Sequence, residues 1–340
     1  MTRLRLSSTV SNDLSIRHPG IECVDPVVME NDLIRLTVAP ELGGKITSLI
    51  RLESNYEYLL QPADPEWAYR RREYGDKFED YEPSGFDECL PTIAACLYRE
   101  FPFPEKMLPD HGDIWCLPST LEVVGEQIRL TSTIRSLSLR FTKQIHLQED
   151  MVRLGYEVTN LSQLGVRFLW SAHPLLRLDS TAELFLPREV NEVSVGWSKD
   201  ERLGKLGSRC TWPIATDYRG KTVELNKAVS SDDGTAEKLF TDRLTEGFCG
   251  LFLPRENESI SFRFDPSLVP FVGIWICQGG WQTSRAEKQF AVALEPCNGR
   301  HDSLEQAISE SECARLESSG TIRWWMEIAV NAGAPRFQRV

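Results

Sequence analysis

From Leu121 onward, apolar and polar residues alternate through segment after segment: LEVVG, QIRLTSTI, LSLRFTKQIHL, MVRLGYEVTN and VRFLWSAH. In the third, Leu137, Leu139, Phe141, Ile145 and Leu147 make one face, and Ser138, Arg140, Thr142, Gln144 and His146 make the other. Side chains change sides at every residue of a strand but recur every 3.6 residues on a helix, so this spacing predicts half-buried strands. Short polar connections such as Gly125-Glu126 and Gln148-Glu149-Asp150 join neighbours as an antiparallel meander. Further strands are expected at 33–39, 46–52, 259–264, 272–277, 290–294 and 322–330. Helices are scarce; the clearest is expected over 303–316, where Ser303 and Gln306 have capping-box spacing. The fold class is therefore all-β, a many-stranded and mostly antiparallel sandwich.

No Pro/Gly/Ser linker, low-complexity tract or internal repeat divides the 340 residues, so one domain over 1–340 is expected, with about 1–25 as an N-terminal extension. The stretch 61–118 is irregular and rich in Pro, aromatic and charged residues, as binding loops on a rigid scaffold are. Against 38 Lys and Arg stand 50 Asp and Glu, a net charge of −12. Neutralising phosphates takes a concentrated basic surface, so nucleic acid and anionic membrane are poor partners. The dense basic run, Arg70, Arg71 and Arg72, is flanked by acids and reads as a solvated cluster. No stretch approaches the roughly 20 apolar residues that span a bilayer. The start, MTRLRLSSTVSNDL, has no apolar signal region. Nine cysteines without a CxxC pair fit thiols in a reducing compartment, and a cytoplasmic location is expected.

In FAVALEPCNG, Glu295 shares strand parity with Ala291 and Ala293, while Phe290, Val292 and Leu294 point the other way. The large residues fill a core and the small ones leave room beside the acid. From this segment alone, Glu295 either emerges inert into solvent before a Pro296 turn or faces a small-molecule pocket. Of the five histidines, His146 falls on the solvent side of its strand, and His18 and His301 fall in loops. His111 lies in LPDHGDIW, where Gly112 permits close backbone approach. His173 ends VRFLWSAH, with Pro174 stopping the ladder. An imidazole so placed suits acid or base work near neutral pH, and its alternative is a satisfied core-edge histidine.

APELGGKITSL, DHG, SAHPLLRLD and ALEPCNG, in that order, resemble the aldose 1-epimerases, the galactose mutarotase group, over roughly residues 30–330. The resemblance implies a large antiparallel β-supersandwich, a small-molecule sugar as partner, and sugar-ring opening by acid and base with no metal and no cofactor. It assigns Glu295 as general base, His173 as general acid, His111 as a contact to sugar oxygens and Asp242 as a substrate-binding carboxylate. Glu295 would rest ionised and His173 protonated, each favouring the other's charge. The family's substrate-binding Arg before the HG motif is missing. That region reads PSGFDECLPTIAA, and its Asp87 and Glu88 are expected to accept hydrogen bonds from vicinal sugar hydroxyls. Trp275 shares parity with Gly273 and Cys277 and is expected to stack on a pyranose; Trp281 reads as core.

Two rivals stand beside this reading. His111-Gly112-Asp113 followed by His173 has the HxD…H form of a 2-His-1-carboxylate iron site, but no RxS arrangement follows to bind a 2-oxo acid and Glu295 is left without a role. The other rival is a carbohydrate-binding protein of the same fold that lacks turnover.

Overall fold

Pairing turns the alternating segments into two large antiparallel sheets, one of 12 strands and one of 8. The computed structural model describes residues 2–6, 25–282 and 288–336. His18 and most of the expected N-terminal extension lie outside these. Arg3–Leu6, placed in that extension by the sequence reading, is instead an edge strand of the larger sheet, paired with Val27–Glu30.

The middle of the larger sheet runs, strand beside strand, through Phe86–Cys89, Ser171–Arg177, Phe290–Cys297, Phe271–Gln278 and Thr235–Thr241. The smaller sheet holds the meander Thr120–Val124, Gln127–Ile134, Leu139–Gln148 and Met151–Asn160, continued by Thr321–Ala332 and Glu258–Phe264. Apolar side chains of both sheets meet in one core. Val292 and Leu294 from the larger sheet, Leu154, Met326 and Ile328 from the smaller, are all at most 1% exposed. Each such side chain contributes roughly 1.5–3 kcal/mol by leaving water. Ala291 and Ala293 face away from this core and pack with Leu175 and Trp275, as the alternation in FAVALEPCNG requires.

Three local expectations are corrected. The helix is Leu304–Ser309, capped by the Ser303 hydroxyl. It stops because Ser311 turns left-handed at φ 59°, after which Ala314–Leu316 pairs with Val166–Phe168 as a strand. The segment expected to end at His173 is two strands, Val166–Phe168 and Ser171–Arg177. Between them the backbone leaves its ladder, Leu169 N–H donating to the Pro91 carbonyl and Trp170 N–H to Asn298 Oδ1. Neither Pro174 nor Pro296 ends its strand; both lie inside. The pairs Ser171 with Cys297 and Leu175 with Ala293 bracket a stretch where that ladder is interrupted. Each strand contributes a proline there, and neither can donate a ladder N–H, so the ladder breaks locally while both strands run on. The same count of residues sets His173 abreast of Glu295.

Candidate active site

Five adjacent strands, Ser171–Arg177, Phe290–Cys297, Phe271–Gln278, Thr235–Thr241 and Glu192–Ser198, line a cavity of about 270 Å³. Its base carries His173, Glu295, Lys238 and Asp302; its sides carry Phe78, His111, Leu175 and the tryptophans Trp197, Trp275 and Trp281. Glu295 is fully buried, so it does not emerge into solvent before Pro296. Its Oε2 accepts a hydrogen bond from the Lys238 ammonium. Among the described residues its Oε1 has no hydrogen-bond partner, and it stands 3.8 Å from His173 Nε2. That gap is too wide for a direct hydrogen bond. Lys238 lies two strands from Glu295 and also approaches Asp302 Oδ1 at 3.6 Å. Burial opposes its charge, but Asp302 and Glu295 outweigh that and hold its pKa above the usual lysine range.

His173 departs from expectation in its charge. Burial, then the positive fields of His111 and Lys238, push its pKa well below the ordinary histidine value, and Asp87 opposes them only in part. The resting imidazole is neutral near pH 7. Attraction to Glu295 does not make it an imidazolium, because desolvation of a buried ring outweighs it.

His111 lies where the HG motif suggested. Its backbone is left-handed at φ 55°, and a Cβ on Gly112 would come within 2.3 Å of the Leu90 carbonyl oxygen, so only glycine fits there. The imidazole stacks on Phe78 with centroids 3.9 Å apart and meets the His173 ring edge-on at 5.3 Å. Its Nδ1 is 2.9 Å from Asp110 Oδ1. Asp113, the third member of the supposed iron triad, is turned away. Its buried carboxylate accepts from the backbone of Arg135 and Ser136 and from the Ser136 hydroxyl, at 2.7–2.9 Å. The structure does not assemble that triad. Among the described residues, the histidine and carboxylates close enough to share an ion are His301, Glu310 and Glu312, outside this cavity, and Arg300 already pairs with Glu312 at 2.9 Å.

Asp87 and Glu88 are neighbours on one strand and therefore face opposite ways. Glu88 points between the sheets, where Lys143 Nζ approaches at 2.7 Å and the Tyr156 hydroxyl donates at 3.1 Å. It does not reach the cavity. Asp87 is on the cavity side, in register with His173, but only 2% exposed, held by Lys45 at 2.6 Å with Arg72 at 3.5 Å. Burial opposes its charge, yet the two cations hold its carboxyl below the usual range. It lies beneath His173 rather than on the cavity wall. Arg72 is likewise not solvated as expected. Its buried guanidinium donates to the Trp115 carbonyl at 3.0 Å and lies over the Trp115 ring. Asp242 is more than half exposed, clamped by Arg209 and Arg300, and does not line this cavity.

Trp275 lines the cavity, stacked with Trp197 at 5.8 Å and oriented by a 2.8 Å hydrogen bond from its indole N–H to Gln289. Trp281, read as core, lines it too, edge-on to Trp275. Sequence reading missed Lys238, Asp302, Phe78, Trp197 and Gln289. Lys238 alone carried a signal, a lysine between Ala236 and Phe240 on one face of the strand TAEKLFT.

No protein-family profile and no curated protein matches the chain. Solved structures do resemble it over most of its length. A candidate aldose 1-epimerase from Klebsiella pneumoniae has a TM-score of 0.70 at 11% identity, covering 94% of this chain and 82% of that one. A galactose mutarotase related enzyme from Lactobacillus acidophilus has 0.63 at 17%, covering 91% and 98%. A galactose mutarotase-like protein from Lactobacillus casei has 0.63 at 16%, covering 90% and 100%. The fold is thus the galactose mutarotase-like one, as the order of motifs implied.

Proposed function

We propose that the protein is an aldose 1-epimerase-type isomerase, interconverting the α and β anomers of a sugar by acid/base ring opening. The observation that carries this reading is the pair of facing groups at the base of the cavity. Glu295 Oε1, buried and without a hydrogen-bond partner among the described residues, and His173 Nε2 are 3.8 Å apart, beneath aromatic walls suited to the apolar face of a pyranose.

Lys238 fixes one oxygen of Glu295 and leaves the other for the C1 hydroxyl of the sugar. Glu295 removes that proton, the C1–O5 bond breaks with its electron pair passing to the ring oxygen, and a proton from His173 completes the open aldehyde. Rotation about C1–C2 and reversal of the same steps give the other anomer. Because the resting His173 is neutral, it takes up a proton from solvent before it can serve as acid. Groups in these roles contribute about 10²- to 10⁴-fold each.

Binding of a sugar without turnover is the second reading. The occupation of one Glu295 oxygen by Lys238 and the neutral resting state of His173 favour it. Polarimetry on freshly dissolved aldoses separates the two. Faster equilibration than buffer, lost in Glu295→Gln, is expected. Saturable binding with no acceleration across a broad panel of sugars would establish the binding protein instead.

A further inference from the structure

We propose that Asp87 positions His173, its buried carboxylate accepting a hydrogen bond from the imidazole Nδ1–H directly or across one water, so that Nε2 is the unprotonated nitrogen facing Glu295. The order of strands makes this the natural pairing. The His173 strand is flanked by the Asp87 strand on one side and the Glu295 strand on the other, and His173 and Asp87 are register partners. Such partners have Cβ atoms about 5 Å apart on one face. Two buried polar atoms of complementary kind have no hydrogen bond among the described residues, His173 Nδ1 and Asp87 Oδ1. A buried donor left without an acceptor carries its full desolvation cost, so two complementary atoms on register partners favour a hydrogen bond between them.

No other group named around the ring competes for Nδ1. Glu295 lies toward Nε2. Lys45, Arg72 and Lys238 are cationic donors. His111 is turned to Asp110, and Phe78 presents its ring at 5.5 Å. Lys45 and Arg72 keep the Asp87 carboxylate ionised and fixed, as an orienting group must be. The consequence is that His173 gains and gives its proton at the nitrogen that faces substrate. This consequence for rate rests on the epimerase reading, whereas the tautomer does not.

The test is long-range ¹H–¹⁵N correlation of the full-length protein labelled at histidine, recorded without sugar near pH 7.5, with His173 assigned by the signal missing in His173→Gln. The wild type is expected to show the Nδ1–H tautomer, and Asp87→Ala to shift His173 toward Nε2–H, since only cations then face Nδ1. A wild type with the proton on Nε2 overturns the proposal whether or not the variant folds. Under the epimerase reading, Asp87→Ala should also lower kcat by about tenfold or more with KM nearly unchanged. A merely structural Asp87 would leave the tautomer of the folded variant as in the wild type.

Discussion

Gly273 stands directly opposite Glu295 in the antiparallel ladder, and a Cβ built on it would come within 3.2 Å of Glu295 Oε2 and 3.3 Å of the Phe240 ring. The missing side chain leaves room for the Glu295 carboxylate that Lys238 holds. Gly273→Ala is therefore expected to fold, since its backbone is ordinary strand, but to displace Glu295 and Lys238 by a few tenths of an ångström. Displacements approaching 1 Å cost about 10²-fold in rate, so a loss of roughly tenfold in kcat is expected by polarimetry, with a melting temperature close to wild type. Full activity in Gly273→Ala would show that Glu295 does not need this placement.

Removing Lys238 leaves Glu295 as an uncompensated buried carboxylate. Breaking a buried pair from one side costs about 3–5 kcal/mol, whereas replacing both partners with neutral groups is often near neutral. Lys238→Met should lower the urea midpoint strongly, and the double variant Lys238→Met with Glu295→Gln should recover much of the loss. Additive losses would mean that the two side chains are not coupled.

The depressed pKa of His173 sets two pH dependences. A general acid must be protonated, so the rate should rise as pH falls from 8 toward 6, and should not level off above about 6.5, the ordinary histidine value. For stability, the unfolded chain binds the proton below about 6.5 while the folded imidazole resists it. The unfolded state then holds more protons, and His173 costs stability as pH falls from about 6.5 toward its folded value. Buried carboxyls whose pKa is raised, such as Glu88, act in the opposite sense but are present in the variant too. The difference between wild type and His173→Gln in chemical denaturation at pH 7.5 and 5.5 isolates the effect. A rate that falls on acidification through this range would exclude His173 as the acid.

The sheets were legible because period-two alternation is a local signal, and strand parity correctly put Glu295 with Ala291 and Ala293 on the cavity side. The charge states were not legible. They depend on burial, which a sequence shows only indirectly, and on cations such as Lys238 that arrive from strands far off in the chain. Asp87 and Glu88 show the limit most directly. Both were taken for sugar contacts, yet adjacency on a strand sends one between the sheets to Lys143 and the other beneath His173. Pro174 and Pro296 misled for a related reason, since a proline is read as a strand end, and only the pairing shows that both strands run on through a local break in the ladder.

Asp242, clamped by two arginines outside the cavity, supplies a control on the site boundary. Asp242→Asn should change kcat/KM by no more than about twofold, as surface substitutions usually stay within roughly 0.5 kcal/mol. A loss near that of Glu295→Gln would move the binding site toward the resemblance-based assignment.

Trp275 carries the remaining question, whether the aromatic wall binds sugar or only closes the core. Trp170, fully buried, is a core residue; Trp275 is partly exposed on the cavity and held by Gln289. Stacking of this kind adds about 0.5–1.5 kcal/mol beyond buried area, a weakening of about 2- to 12-fold on truncation. Trp275→Ala should raise the Kd for sugar by at least that factor, measured by calorimetry on the Glu295→Gln background so that turnover does not intervene. Gln289→Ala, which frees the indole without removing it, should give a smaller rise. Equal affinity in all three proteins would assign Trp275 to packing and leave the sugar to be held by the polar base of the cavity.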